Sequence, residues 1–136
     1  VLTSVEVDLQ AVMLLHEGLR ALRSNPGLLG QVLERRLRGA YPALVPALPP
    51  DRALAGSGVI DWFEAVVGEL PDVDRVRGRL LAMKAWCRAC GLGEHELPAL
   101  ARLVCDAMIE AGGEGWSAAV VREWSQATDI GIHLVR

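Results

Sequence analysis

The densest chemistry in this sequence lies in one short run, Trp86-Cys87-Arg88-Ala89-Cys90. Two thiols separated by two residues have the spacing used in thiol–disulfide exchange, and a thiolate is also a strong nucleophile and a ligand for soft metals. Cys87 and Cys90 are therefore the candidate catalytic residues. Such a pair is normally activated at the start of a helix, where the dipole lowers the thiol pKa. Here Gly91 follows the pair and reads as the stop of a helix, so the pair lies at the wrong end for that activation. The two sulfurs still fall three residues apart on one helical face, which leaves a disulfide, and thiol–disulfide or peroxide chemistry, open to them. A zinc site from Cys87, Cys90, His95 and Cys105 lacks a second tight ligand pair, so no metal is expected.

The remaining polar groups read as local structure. His16 lies on the solvent side of the first helix, His95 at the start of a later helix, and His133 in a last turn, where a cation favours the dipole. Asp129 and His133 are four apart and can pair on a helix surface. Asp72 and Asp74 suit the first turn of a helix. Gly112-Gly113-Glu114-Gly115 is a tight turn rather than a phosphate loop, because no strand precedes it and no Lys-Ser/Thr follows.

The elements that carry these residues read as helices punctuated by Pro and Gly. The first spans about Val5 to Leu22, with Leu9, Val12, Met13, Leu15 and Leu19 at helical spacing. Asn25 and Pro26 start a second, carrying Leu28, Leu29, Val32, Leu33 and Leu37 and ending near Ala40. A corner from Tyr41-Pro42 to Pro49-Pro50 contains a helical turn at Pro42 to Val45. Asp51 caps a helix from Arg52 to Leu70, whose start Gly56-Ser57-Gly58 should bend or fray. Pro71-Asp72 opens a helix ending near Cys90. Another runs from about Glu94 to Ala111, and Ser117 caps a last one from Ala118 to the terminus. No hairpin turn or sustained alternation signals a strand. The expectation is one all-α domain over residues 1–136.

Composition agrees. Of 136 residues, 51% are hydrophobic and 23% charged, which suits a compact core of Leu, Val and Ala, and aromatics are only 4%. The net charge of −3 and the single basic cluster Arg35, Arg36 and Arg38, read as a solvated helix face, argue against a nucleic-acid surface. No apolar run is long enough to span a membrane. The first residues show no signal-peptide pattern, and with an odd count of cysteines a cytoplasmic, reduced setting is expected.

Three stretches together resemble the globin domain of bacterial haemoglobins and flavohaemoglobins. Pro42-Ala43-Leu44-Val45-Pro46-Ala47-Leu48-Pro49-Pro50-Asp51 is similar to the corner between the B/C and E helices. Leu80 to Leu92 is similar to the F helix and its exit Gly. Gly93-Glu94-His95-Glu96-Leu97-Pro98-Ala99-Leu100, continued through Gly113-Glu114-Gly115-Trp116-Ser117 to Glu123-Trp124, is similar to the G helix, the G–H turn and the H-helix tryptophan. The resemblance implies a globin-like helical fold. It also marks four departures at positions that contact haem in that family. The proximal histidine position, four residues before the exit Gly, is Cys87. The corner phenylalanine is Leu48. The distal tyrosine, eight residues before the corner Pro, is Glu34. The tyrosine near the start of the G helix is Glu96.

These departures lead to the functional expectation. The chain reads as a haem-free globin-fold module, a sensor, regulatory or interaction domain whose partner is a small apolar ligand or a second copy. Trp62, Phe63 and Trp86 supply bulk to fill the space haem would leave. The first alternative is a haem protein with the Cys87 thiolate on the iron, working in gas sensing or redox catalysis. The second is a thiol redox protein using Cys87 and Cys90.

Overall fold

The computed structural model describes residues 9–136. The described chain is all-α, with six α-helices and three short 3-10 turns and no strand among the described residues. The helices are α1 (Leu9–Arg23), α2 (Pro26–Ala40), α3 (Arg52–Gly68), α4 (Val73–Ala89), α5 (Leu97–Gly112) and α6 (Ala118–Leu134). The 3-10 turns are Pro42–Ala47 in the corner, Glu94–Glu96 before α5 and Gly113–Gly115 before α6. The expected start of the first helix at Val5 lies outside the described residues. No helix among the described residues is long and apolar enough to cross a membrane.

The helix ends follow from their caps. The side chains of Asn25, Asp51, Asp72 and Ser117 accept backbone N–H groups of Leu28, of Ala53 and Leu54, of Arg75, and of Val120. Each satisfies a donor that the first turn leaves orphaned and contributes about 1 kcal/mol. At the other ends, Gly91 and Gly113 adopt positive φ, 99° and 51°, which lets the chain leave α4 and α5 sharply.

Two contacts organise the core. The first is the crossing of α2 and α3, where backbone meets backbone. A Cβ on Gly30 would lie 1.9 Å from the Arg52 carbonyl oxygen, and one on Gly56 would lie 1.9 Å from the Pro26 carbonyl oxygen. This contact explains why the helix does not fray at Gly56-Ser57-Gly58: α3 is continuous through it. The expected break fails because tertiary packing outweighs the low helix propensity of glycine.

The second is an aromatic column. Trp62 meets Phe63 edge-on at 5.0 Å, Phe63 meets Trp124 edge-on at 5.3 Å, and Trp124 stacks on Trp116 at 6.0 Å. The indole N–H of Trp116 donates to the Gly18 carbonyl at 2.9 Å, and that of Trp124 to the Leu15 carbonyl at 3.2 Å. Both tryptophans thus bury their rings and satisfy their only polar atom on α1. Gly18 permits the approach, since a Cβ there would lie 2.6 Å from the Trp124 Nε1.

α4 is held differently. Only Val76 and Cys87 on it are buried. Its grip on α6 is largely polar: Arg77 Nε donates to the Leu134 carbonyl at 3.1 Å and Lys84 Nζ to the Val135 carbonyl at 2.8 Å. These cations neutralise the carbonyl end of α6. Trp86, expected to fill interior space, is 46% exposed, with Leu81 and Met83 also on the surface. Its place on α4 turns it away from the core that Phe63 and Trp124 fill.

The glycine crossing gives a sharp stability contrast. Gly56→Ala should cost about 2–3 kcal/mol, because a backbone carbonyl must move to admit the methyl. Gly58→Ala on the same helix, with nothing within 4 Å of its Cβ position, should gain up to about 1 kcal/mol from helix propensity. Urea unfolding of the two variants beside the parent measures both.

Candidate functional site

The structure divides the residues singled out in the sequence into two groups. Glu34 and Leu48 come together. Cys87, Cys90 and Glu96 lie elsewhere, where α4 gives way to α5.

The first group lines a hollow of about 230 Å³ between α2, the corner and the start of α3. Gly30 and Glu34 come from α2, Val45 and Leu48 from the corner, and Arg52 and Ala55 from α3. The α2–α3 crossing sets this geometry, since it places Ala55 and Arg52 across from Gly30 and Glu34. Leu44 is buried beneath, and Val45 and Leu48 pack against the core. On the outer side lies a wider, shallower groove of about 480 Å³, lined by Gln31, Glu34, Arg35, Arg38, Gly39 and Arg52.

Glu34 stands on the wall between the two. Its side chain is 28% exposed, its Oε1 accepts Arg38 Nη2 at 2.6 Å, and its Oε2 accepts Arg52 Nε at 3.3 Å. The Arg38 hydrogen bond, ahead of the opposing effect of desolvation, holds its carboxyl below the ordinary range. Both carboxylate oxygens of Glu34 are therefore paired. The basic run, expected to be a solvated helix face, is exposed at Arg35 and Arg38 and carries ion pairs as well: Arg35 and Arg36 both bind Glu110 of α5, Arg36 Nη2 at 2.8 Å, and Arg38 binds Glu34.

The second group carries weak chemistry. Cys87 is only 2% exposed and sits in the core cluster. Burial pushes its thiol pKa up, and Cys90 beside it adds to the shift. Its own carbonyl accepts the N–H groups of Cys90 and Leu92, both at 3.1 Å, so it lies at the negative end of the α4 dipole. That end disfavours a thiolate. Cys90 is half-buried, Cys105 is buried, and all three are free thiols. Burial raises the Cys105 thiol as well.

Glu96 is committed locally, its Oε1 accepting the Gly93 N–H at 3.0 Å ahead of α5. His16, His95 and His133 are all exposed. The expected pairing of Asp129 with His133 gives way to Arg102, whose Nη2 lies 3.6 Å from Asp129 Oδ1. Among the described residues no group of His, Cys, Asp and Glu is arranged to hold a metal.

The sequence reading missed Arg38, Arg52, Gly30 and Ala55. Arg38 was within reach, since a Glu followed four residues later by an Arg is a helical pair. The others come near Glu34 only through the α2–α3 crossing.

Glu34 and Glu110 predict an acid-side stability loss of known sign. Both titrate lower in the folded protein than in an open chain, because arginines hydrogen-bond their charged forms. Their stabilisation is complete above the ordinary carboxylate range and is lost as pH falls through the lower folded values. Glu34→Gln should therefore lower the urea midpoint slightly at neutral pH, since exposed ion pairs contribute little, and match the parent at acid pH, so that its acid decline is flatter by that same small amount. A midpoint series taken downward from neutral pH checks this.

No protein-family model matches the chain, and no curated protein matches it.

Proposed function

We propose that the chain is a haem-free globin-fold module, acting as a sensor, regulatory or interaction domain. The helix partnership supports the globin-like reading: α2 packs on α3 and α5, α1 on α3 and α6, and α5 on α6, with the corner between α2 and α3. The observation that carries the haem-free half is Cys87. The position that the resemblance gives to an axial imidazole holds a buried thiol, raised in pKa, at the negative end of a helix, while every histidine is on the surface.

Haem does not suit the residues present. Iron needs a donor nitrogen or a thiolate, and burial opposes the thiolate form of Cys87. The Glu34 and Leu48 hollow, at about 230 Å³, falls below the roughly 300 Å³ at which pockets for drug-sized molecules begin. A porphyrin is larger still. The same burial weighs against nucleophilic or redox catalysis at Cys87 and Cys90, since such a thiol must be both ionised and reachable.

The interaction half draws on α4. It presents Leu81, Met83 and Trp86 to solvent, and α6 adds Ile130. An exposed tryptophan is the residue type that most often anchors an interface.

Two measurements test the reading. Titration of the purified protein with haem should give no Soret band that saturates with one equivalent. A saturating band abolished in Cys87→Ala would replace the reading with a thiolate haem protein. In a thiol titration of the native protein, Cys90 should react first, with Cys87 and Cys105 reacting only on unfolding. Fast native reaction of Cys87, lost in Cys87→Ala, would revive the thiol enzyme.

A further inference from the structure

The hollow and the groove share two residues, Glu34 and Arg52, and differ in the rest of their lining. The inner side sets the apolar side chains of Val45 and Leu48 from the corner and Ala55 from α3 beside the charged Glu34 and Arg52. The outer side is cationic. Three guanidinium groups line it, those of Arg35, Arg38 and Arg52, and they pair with two carboxylates, Glu34 and Glu110. Three positive charges less two negative leave the rim weakly positive. Asp51, the nearest other acid in sequence, is engaged as a helix cap through the Ala53 and Leu54 amides.

The arginines are not saturated. A guanidinium carries five N–H donors. Arg52 offers Glu34 only its Nε, and its terminal amino groups meet no other acceptor among the described residues. Arg52 lines both the hollow and the groove. At about 30 Å³ per water-sized atom group, 230 Å³ holds roughly seven or eight non-hydrogen atoms.

We propose that this double hollow binds a small amphiphilic carboxylate, its short apolar body against Leu48, Val45 and Ala55 and its carboxylate on Arg52 and Arg38. The inference rests on the module reading above and names the ligand class for it. A cationic amphiphile would meet the net positive rim, and a neutral one would leave the guanidinium donors unused. The planar guanidinium fork matches a carboxylate in shape as well as charge.

The test uses hexanoate, hexanol, acetate and hexylammonium on the intact chain, read from the methyl resonances of Val45, Leu48 and Ala55. Hexanoate should shift these resonances saturably, with a Kd at least about tenfold below those of hexanol and acetate, and hexylammonium should not shift them. Arg52→Gln, with an unchanged circular dichroism spectrum, should weaken hexanoate about tenfold and leave hexanol unaffected. Leu48→Asn should weaken both, because it removes the apolar wall. Equal affinity for hexanol and hexanoate, preference for hexylammonium, or no methyl shift at millimolar probe would each overturn the proposal. Failure of hexanoate together with no Soret band removes this site and leaves the module reading standing; a saturating Soret band removes both.

Discussion

The α2–α3 crossing is the contact on which the rest of the molecule depends. Gly30 and Gly56 bring two helix backbones so close that neither position admits a methyl group. The approach fixes where α3 must begin, and thus compresses residues 41–51 into a corner that folds back on the core. Leu44 is buried by that return and Leu48 half-buried. It also sets Arg52, at the first turn of α3, across from Glu34, in the middle of α2. The hollow, its apolar lining and its ionic wall are thus consequences of one steric fact. Gly58, two residues further along α3 and so on its opposite face, touches nothing, so its presence has no such explanation here.

The far side of the molecule is built on another principle. Trp116 and Trp124 pin α6 and its preceding turn to α1 through two indole N–H bonds to helix carbonyls. This buries large rings without leaving a polar atom unpaired, the condition that makes tryptophan affordable in a core. α4 has no comparable anchor. With two buried side chains and two cations on the carbonyl end of α6, it depends on interactions that solvent screens. In energetic terms it belongs to the weakly held end of the structure, from which moving and partner-binding elements are drawn. Its exposed Trp86 and Met83 sit on the helix with the fewest buried side chains.

The helices were legible in the sequence because their punctuation is chemical and local. Asn25-Pro26, Asp51, Asp72 and Ser117 can act as caps from sequence position alone, and each does. Gly56-Ser57-Gly58 misled because glycine carries two opposite messages. It lowers helix propensity, and it also permits a close helix crossing, and only the three-dimensional partner decides between them. Trp86 misled for a related reason: an aromatic side chain records no direction until the helix face is fixed. The candidate site was half legible. Glu34 and Leu48 were singled out through the resemblance and do share a hollow, but Arg52 entered only through the crossing. Cys87, which the sequence offers as a thiol or a ligand, lies buried in the core cluster. Its burial follows from helix phase, since it faces inward while its neighbours Trp86 and Arg88 face out.

The two halves of the candidate site treat negative charge in opposite ways, and this bears on what the module can do. On α2 a carboxylate is favoured: two arginines hold Glu34 ionised. On α4 an anion is opposed: burial and the helix's carbonyl end both keep the Cys87 thiol protonated. A haem protein needs the reverse arrangement, with an electron-pair donor on the α4 side and a hollow opposite it that stays free of fixed charge. A neutral residue at position 34 would leave Arg38 and Arg52 without their shared acceptor. The ionic wall is thus a joint property of three side chains on two helices.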